Sequence, residues 1–518
     1  MIKKICSLVL ILMLFCSYAI SQDNDQVAKG VVFEDKNKNG KRDEGEPGIP
    51  GVMVSNQREV FLTDSEGKYQ IPVSNDSIIF VTKPSGYAVP LNKLNVPKFY
   101  YIHKPLGSPE GFRYPAVEPT GDLPESIDFP LTKQTEPDQF KIIALADTQP
   151  VDGQELGYVR DDVVTELIGT DAAFTIVLGD LLFDNLLLFP GYNQIMALIG
   201  KPVYNVIGNH DMNFLSEDDE NADETYHRYY GPNYYSWDYG KVHFMTLDNI
   251  IWLGRERNRY GDGLGEKQLE WIKNDIARVP GEKLIVLNMH APMQYFRGER
   301  RLMGDCKELF KILKDRKKVL ALSGHTHVTY HNFFTEENGW DGEGSFHHIN
   351  CVTACGSWWS GPKDYRGIPV ADQRDGAPNG YTIIDFDGAD YVTTYKAAGF
   401  SPDFQMRIYP PDRSKTSGDQ RNQILVNIFH GSDQSEVEYS IDGGPFKPMR
   451  QEVMDDPLAT AFYSGATDSG KSWVNPVSCL HIWIAEFDEK PSRGLHYVTV
   501  REKDQYGREH KTSAPFYY

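Results

Sequence analysis

Five near-continuous apolar runs, each followed by a polar cluster, constrain the fold of this 518-residue chain more than any other feature. The runs occupy residues 142–146, 174–178, 203–207, 284–288 and 319–323. Runs of this kind are typical of strands that are buried on both faces of a parallel sheet. Helical patterns between several of them, for example over residues 266–279, predict the alternation of an α/β fold.

The segments on either side of these runs have a different texture. Residues 28–135 and 401–518 contain short β-branched and aromatic runs that are separated by turn signals. This pattern predicts two small all-β units. We therefore expect three folded segments, at 28–135, 138–400 and 401–518, with the α/β segment in the middle.

The first 21 residues are typical of a secretory signal peptide. Lys3 and Lys4 precede an apolar run over residues 5–15, and a small-x-small pattern follows at residues 19–21. The run is shorter than a membrane span requires, and a retained anchor helix is the alternative. We expect removal of residues 1–21, a mature chain without a transmembrane helix, and a periplasmic or secreted location in a bacterium.

The net charge and the cysteine content exclude two features, a nucleic-acid partner and a disulfide framework. The formal charge is −20 and no cationic stripe is apparent, so a nucleic acid is not an expected partner. The cysteines outside the signal segment are too few for a disulfide framework in a chain of this length. We expect buried free thiols at all of them, namely Cys306, Cys351, Cys355 and Cys479.

Each apolar run ends in side chains that are suited to metal binding. The clusters are Asp147-Thr148-Gln149, Gly179-Asp180, Gly208-Asn209-His210-Asp211, His290 and Gly324-His325-Thr326-His327. Loops at the carboxyl ends of strands are where α/β sheets place their ligands, and carboxylate, amide and imidazole groups suit Mn, Fe, Zn or Mg. One cluster alone has an ordinary structural explanation, such as a turn or a buried histidine. Five clusters in equivalent positions predict a metal site.

The series of clusters resembles the calcineurin-like metallophosphoesterase family, whose pattern is D-x-H, G-D, G-N-H-D/E, H and G-H-x-H. The resemblance covers residues 138–400. It implies an α-β-β-α sandwich, here flanked by two small all-β units of immunoglobulin or transthyretin type. It also implies a hydrolase that acts on phosphate esters and uses two divalent metal ions.

Carried over residue by residue, the resemblance implies a role for each side chain. Asp147 and His327 would hold one metal ion, and Asp180 would bridge the two ions. The second ion would be held by Asn209, His290 and His325. His210 would be the catalytic histidine outside the metal shell, with Asp211 as its orienting partner.

Two positions depart from the commonest form of the family pattern. Gln149 stands where a metal-binding histidine is usual. Its carbonyl oxygen can still bind a metal, but as a weaker and harder donor that favours Mn, Fe or Mg over Zn. Phe183 stands where purple acid phosphatases have a metal-binding tyrosine, so no purple colour is expected.

The implied mechanism follows from charge. Two divalent ions outweigh the charges of Asp147 and Asp180, which leaves a positive site for a phosphate. A water shared by the metals would attack phosphorus in line, and His210 would donate a proton. The expected substrate is a phosphomonoester or phosphodiester, either a small molecule or linked to a glycan or lipid. The alternative is a surface or envelope binding protein with a catalytically weakened phosphatase fold, which only Gln149 supports.

A Gly/Pro-rich stretch after the last cluster offers candidate substrate contacts. The side chains there that could line the site are Trp358, Trp359, Arg366 and Arg374. An arginine in this position could bind a second anionic group. A solvated surface loop is the equally weighted alternative.

A separate pattern near the amino terminus matches the liganding positions of an EF-hand calcium loop. The positions are Asp35, Asn37, Asn39, Lys41, Asp43 and Glu46. Lys41 would bind through its carbonyl oxygen. No helical pattern flanks the loop, and it resembles the calcium loops of bacterial surface β-sandwich domains. We expect a calcium ion that stiffens a turn; a turn without an ion is the alternative.

Overall fold

A computed structural model describes residues 26–254, 260–296, 301–411, 422–463, 471–487 and 491–518. The predicted signal peptide at residues 1–21 lies outside the described residues. In the part of the chain that is described, no helix is long and apolar enough to cross a bilayer.

Three of the predicted strands form the parallel part of a five-stranded sheet, here called the first central sheet. From edge to edge its strands are Val203–Val206, Thr175–Leu178, Gln139–Leu145, Gly380–Asp387 and Asp390–Ala397. The first three run parallel, and the last two are antiparallel to their neighbours. Ile176 and Val177 point to opposite faces, and both are 0% exposed, as a strand buried on both faces requires.

The two remaining predicted strands lie in a six-stranded sheet, here called the second central sheet. Its order is Tyr235–Tyr239, Val242–Thr246, Leu284–Asn288, Lys318–Ser323, Ser345–Asn350 and Tyr330–Phe334. The four inner strands run parallel, and both edge strands are antiparallel. The predicted polar clusters therefore follow parallel strands in both sheets.

The two central sheets pack face to face, with helices on their outer faces. Ile142 and Leu178 of the first sheet share one apolar core with Phe244 and Val286 of the second. The helices against the first sheet are Gly153–Tyr158, Val159–Val164, Thr165–Leu167 and Phe189–Met196, and those against the second are Gly265–Ile276 and Cys306–Leu313. The predicted α-β-β-α sandwich is confirmed.

Shorter elements connect these layers within the described residues. The further helices are Leu186–Leu188, Ala197–Ile199, Asn209–Asp211, Glu224–Tyr230, Glu336–Asn338 and Pro457–Tyr463. Two small ribbons pair Ile250–Trp252 with Tyr260–Asp262, and Gln294–Tyr295 with Arg301–Leu302.

The amino-terminal all-β unit is joined closely to the second central sheet. The strands of its first sheet are, in order, Lys68–Val73, Gln26–Glu34, Phe129–Lys133 and Tyr87–Ala88. The strands of its second sheet are, in order, Val60–Leu62, Met53–Ser55, Ser77–Val81 and Tyr100–His103. The buried ammonium group of Lys83 pairs with Glu136 at 2.6 Å and also donates to the carbonyl of Asp238 in the edge strand of the second sheet. The unit thus shares its apolar core with the central sheets.

The carboxyl-terminal all-β unit has a core of its own. The strands of its first sheet are, in order, Met406–Tyr409, Gln423–Ile428, Cys479–Glu486 and Arg450–Met454. The strands of its second sheet are, in order, Lys447–Pro448, Glu436–Ile441, Leu495–Lys503 and Glu509–Tyr517. Val426, Trp483 and Val500 lie at the centre of that core. The two flanking all-β units are confirmed, while the boundaries at 28–135, 138–400 and 401–518 stay a prediction. The four cysteines outside residues 1–21 are buried and free, as expected.

Candidate metal centre

The five polar clusters meet where the parallel strands of the two central sheets end. The backbone N–H of His325 donates to the Asp147 carboxylate at 2.8 Å, which joins one sheet to the other. The backbone N–H of His210 donates to Asp180 at 2.9 Å. The sequence prediction that these distant clusters converge is therefore matched by the geometry.

Two glycines permit this close approach. A Cβ atom at Gly208 would overlap the backbone and carboxylate of Asp180, and one at Gly324 would overlap the carboxylate of Asp147. Glycine is required at both positions because no other residue leaves the space empty. The glycines in the G-N-H-D and G-H-x-H clusters therefore set the distance between neighbouring loops.

Several of the converging residues have a strained backbone. Left-handed φ angles occur at Asp147 (48°), Gln149 (37°), Asp180 (50°), His325 (74°) and His327 (56°). Such a conformation costs about 1–3 kcal/mol for a residue with a side chain, and it persists only where the surroundings enforce it. Strain at five positions in one cluster indicates a binding function rather than a packing role.

One half of the centre, here called the His290 half, consists of Asp180, Asn209, His290 and His325. His290 Nδ1 lies 2.9 Å from the carbonyl oxygen of Leu178 and must donate to it, which directs the Nε2 atom inward. His290 Nε2 lies 3.1 Å from Asn209 Oδ1, 3.2 Å from Asp180 Oδ2 and 3.2 Å from His325 Nδ1. The candidate ligand atoms of Asp180, His290 and His325 all lie within 4.8 Å of one another.

The other half, here called the Gln149 half, consists of Asp147, Gln149 and His327. The His327 ring donates its Nδ1 proton to the carbonyl of Gly356, and its Nε2 atom faces Asp147 Oδ1 at 3.5 Å. The Gln149 amide donates from Nε2 to Asp180 at 2.6 Å, and its Oε1 atom accepts a weak hydrogen bond from the Cys355 thiol at 3.6 Å. The amide oxygen of Gln149 is therefore already engaged.

These donor sets fit divalent metal ions. In the His290 half, four oxygen and nitrogen atoms with lone pairs face a common point, and a single proton on His290 can satisfy only part of them. In the Gln149 half, the lone pair of His327 Nε2 faces a carboxylate oxygen. Mixed carboxylate, amide and imidazole ligands suit Mn, Fe, Zn or Mg. The hydrogen bonds from His290 and His327 to backbone carbonyls are the usual support of a metal ligand.

Burial shifts the pKa values of the ligands. It lowers the pKa of both His325 and His327 to about 3, so these imidazoles are neutral and keep a lone pair for a metal. It raises the pKa of Asp147 to about 7 against the attraction of His290. Burial acts on Asp180 in the same direction, but the attraction of His290 and His210 outweighs it and holds the pKa of Asp180 below its ordinary value.

The histidine that the sequence assigns to proton transfer lies beside the His290 half, but its partner differs from the prediction. His210 Nδ1 lies 2.6 Å from Asp184 Oδ1. The Asp211 carboxylate instead accepts backbone N–H groups of Leu181, Leu182 and Gly208. The prediction that Asp211 orients His210 is therefore wrong, because those amides hold the Asp211 carboxylate in the loop.

The missed partner Asp184 had one sequence signal, its position four residues after Asp180 in the same polar loop. The sequence predicts Cys355 as a buried thiol and not as a neighbour of the centre. Its contact with Gln149 depends on a turn that has no short sequence motif. Phe183 stacks on the His210 ring with a centroid distance of 4.3 Å and an interplanar angle of 20°.

The predicted substrate contacts divide into two groups. Trp358 stacks on His327 at 3.9 Å between centroids, and the Arg374 guanidinium lies 5.9 Å from the Trp358 ring. Trp359 is 2% exposed and donates its indole N–H to the carbonyl of Thr148. Arg366 pairs with Asp162 and Asp364. The prediction is therefore corrected for Trp359 and Arg366, which stabilise loops instead of lining the centre.

The predicted calcium loop folds around its own carboxylates. Asp35 accepts the backbone N–H of Gly40 at 2.8 Å, and the two oxygens of Glu46 accept those of Lys36 and Asp43. The amides of Asn37 and Asn39 donate to Asp43 at 2.7 Å each. The side chains predicted from the pattern are thus brought together, with Lys41 in the same turn.

Three family models together match most of the chain. A family model described as calcineurin-like phosphoesterase matches residues 140–329, and models described as the N terminal and the C terminal of calcineurin-like phosphoesterase match residues 36–115 and 348–510. The chain belongs to the calcineurin-like phosphoesterase family. It is accordingly a hydrolase of phosphate ester bonds, and the family implies divalent metal ions.

Solved structures are similar at low identity. A purple acid phosphatase from yellow lupin (Lupinus luteus) seeds is 11% identical with a TM-score of 0.35, and the match covers 78% of this chain and 67% of that chain. The anchor of the inner membrane complex of Plasmodium is 15% identical with a TM-score of 0.32, and the match covers 50% of this chain and 85% of that chain. Vacuolar Protein Sorting 29 from Cryptosporidium parvum is 12% identical with a TM-score of 0.22, and the match covers 60% of this chain and 95% of that chain. A comparison with curated proteins found no match. The family assignment rests on the three sequence matches.

Proposed function

We propose that the chain hydrolyses a phosphomonoester or phosphodiester at two divalent metal ions. The side chains that would hold them are Asp147, Gln149, Asp180, Asn209, His290, His325 and His327. The observation that carries the proposal is the convergence of lone-pair atoms on His290 Nε2, at 3.1 to 3.2 Å. When bound, the ions would supply positive charge for the phosphate and acidify an attacking water.

The residues around the ions would position the substrate and move a proton. Asp184 holds His210 through Nδ1, which leaves Nε2 to donate to the leaving-group oxygen. The His210 side chain is 22% exposed, so a substrate can reach it. Proton donation by a positioned side chain typically contributes about 10²–10⁴-fold in rate. Trp358, which stacks on His327, would form part of the wall on the other side of the centre.

A direct assay compares p-nitrophenyl phosphate and its bis ester as substrates, with and without added Mn²⁺. We expect metal-dependent hydrolysis of at least one of them by the wild-type chain. An Asn209→Ala, His210→Ala double variant should lose about a thousandfold in kcat/KM, since it lacks a metal ligand and the proton donor. A matched control is Asn221→Ala, a half-buried residue whose side chain donates to Asp218 in the acidic loop. Equal rates in the wild type and the double variant would instead favour the binding protein with a weakened phosphatase fold.

We also propose that the enzyme is exported and acts on small phosphate esters, or on esters linked to glycans or lipids, outside the cytoplasm. The support is the signal-peptide pattern of residues 1–21. Expression in a bacterial host with fractionation and amino-terminal sequencing tests it. A mature chain that begins at Gln22 in the periplasm or medium is expected, and an uncleaved cytoplasmic chain would contradict the proposal.

The amino-terminal loop is proposed to bind one calcium ion. The liganding spacing of an EF-hand loop and the inward carboxylates of Asp35 and Glu46, which are 3% and 7% exposed, support this. Titration calorimetry with Ca²⁺ should show one site that Asp35→Ala removes, with Asp64→Ala in a neighbouring turn as the control. Identical heats for all three chains would refute the site.

A further inference from the structure

A column of three near-parallel rings leads away from the proton donor. Phe183 stacks on His210 at 4.3 Å, and Trp473 stacks on Phe183 at 6.1 Å with an interplanar angle of 21°. Trp473 belongs to the carboxyl-terminal unit, whereas His210 and Phe183 belong to the central unit. The column therefore crosses from one unit to the other beside the centre.

Trp473 is 47% exposed, which is unusual for so large an apolar side chain. Its exposure does not come from a loose segment, because contacts on both sides tie residues 471–477 to the central unit. Lys471 Nζ pairs with Glu155 at 2.6 Å, Arg374 Nε donates to the carbonyl of Asn475 at 2.9 Å, and Val477 N donates to the carbonyl of Arg374 at 3.1 Å. The open indole face is therefore held in a defined place.

We propose that this column is the leaving-group subsite, and that the substrates are phosphate esters whose leaving group carries a planar aromatic ring. The inference rests on the proposed function, since His210 must donate to the leaving-group oxygen. The group attached to that oxygen then extends from His210 past Phe183 to Trp473. A flat ring can stack on an indole face, and stacking of this kind is tolerant of ring identity.

Charge supports a neutral ring over a second anionic group. Lys471 is the cation on the segment that carries Trp473, and it is paired with Glu155. Asp184 lies beside His210 at the inner end of the column and would repel a second phosphate. An aryl, arylalkyl or nucleoside phosphate combines one phosphate with a neutral planar ring and fits both ends.

The test uses two substrates that differ only in planarity, benzyl phosphate and cyclohexylmethyl phosphate, whose leaving alcohols are similar in size and acidity. The wild-type chain with Mn²⁺ is expected to prefer benzyl phosphate by about tenfold in kcat/KM, the size of one ring-stacking contact. Trp473→Ala should abolish the preference, and Trp473→Phe should retain most of it. Tyr497→Ala removes a comparably exposed ring elsewhere on the carboxyl-terminal unit and should change nothing.

The outcomes separate this inference from the proposed function. If the wild type hydrolyses both esters with equal kcat/KM, or if Trp473→Ala keeps the preference, the aromatic subsite is refuted while the phosphoesterase stands. If the wild type hydrolyses neither ester in a metal-dependent way, the proposed function fails and takes the subsite with it.

Discussion

Two buried histidine–carboxylate clusters in the central unit differ in how completely they are paired. One is the metal centre. The other, here called the structural network, consists of Ser236, Asp238, His243, Asp275 and Lys283. His243 contacts Asp238 and Asp275 at 2.8 Å each, one carboxylate for each ring nitrogen. The remaining oxygens are taken by Lys283 at 2.8 Å and Ser236 at 2.7 Å.

The metal centre lacks this closure. His290 Nε2 has Asn209 Oδ1, Asp180 Oδ2 and His325 Nδ1 all at 3.1 to 3.2 Å, which is more acceptors than one ring proton can satisfy. Its backbone is left-handed at several ligands, whereas the residues of the structural network have ordinary φ angles. Residue types alone are therefore a poor guide to function. Complete pairing on a relaxed backbone indicates stability, and incomplete pairing on a strained backbone indicates a ligand.

The largest expected effect is on activity at the metal centre. His290→Ala removes the imidazole on which the lone-pair atoms converge, and kcat/KM should fall about a thousandfold, the effect of losing several kcal/mol of transition-state charge stabilisation. The urea unfolding midpoint of the metal-free chain should also fall, because the variant loses the buried contact of His290 with Asp180 at 3.2 Å, so kcat/KM is compared for equal amounts of folded chain. A variant that unfolds more easily but keeps its activity would reverse the roles of the two clusters.

Disruption of the structural network should cost stability and not activity. His243→Gln leaves Asp275 buried without a cation, while Asp238 keeps Lys283, and the free energy of unfolding should fall by about 3 kcal/mol. Urea denaturation followed by tryptophan fluorescence measures it. The specific activity of the remaining folded enzyme should equal that of the wild type; a loss of kcat in the folded fraction would show that the network serves the centre.

The same network predicts a pH dependence of stability. Burial opposes protonation of His243, but the attraction of Asp275 and Asp238 outweighs it and raises the pKa to about 9 from an ordinary value of 6.5. A raised pKa contributes stability that is complete below pH 6.5 and is lost as the pH rises through 9. Unfolding free energies at pH 6.5 and 9 should differ by roughly 3 kcal/mol. The difference should be smaller in the His243→Gln variant, and a wild type that is more stable at pH 9 would contradict the assignment.

Asp184 should have an intermediate effect on catalysis. Asp184→Asn keeps the size of the side chain but removes the charge that orients His210, and kcat should fall about 10–100-fold, as for other supporting partners. KM should change little, since Asp184 does not contact the phosphate. The parallel variant Asp211→Asn should affect stability more than kcat, because that carboxylate accepts three backbone N–H groups.

The smallest expected effect is a gain in metal affinity. Gln149→His supplies the donor that is usual in the family, and zinc affinity in the Gln149 half should rise roughly tenfold. Competition with a chelating dye measures the change. Cys355→Ala is the companion variant, since it frees the amide oxygen of Gln149 without adding a ligand. Unchanged affinity in both would show that Gln149 lies outside the coordination shell.

Much of the fold and of the centre was predictable because buried strands and glycine-spaced ligand loops leave local patterns. The strand Leu284–Asn288 matches its predicted range, and the helix Gly265–Ile276 covers most of the predicted range 266–279. The contacts that the sequence did not predict depend on where side chains point, both within loops and between the carboxyl-terminal and central units. Asp211 is adjacent to His210 in the sequence and Asp184 is 26 residues away, yet the loop after Asp180 brings Asp184 to the ring. Trp473 lies far from the residues of the centre along the chain, and no sequence pattern predicts its contact with Phe183.

The central claim is that Asp180 joins the two halves of the centre around a pair of metal ions. Metal content by mass spectrometry, after stripping with chelator and dialysis against Mn²⁺, tests it in the wild type and in Asp180→Ala, with the calcium loop identical in both. The wild type should retain two more ions per chain than the variant, or at least one more if one half keeps its ion. Equal metal content in the two chains, with equal phosphatase activity, would contradict the claim.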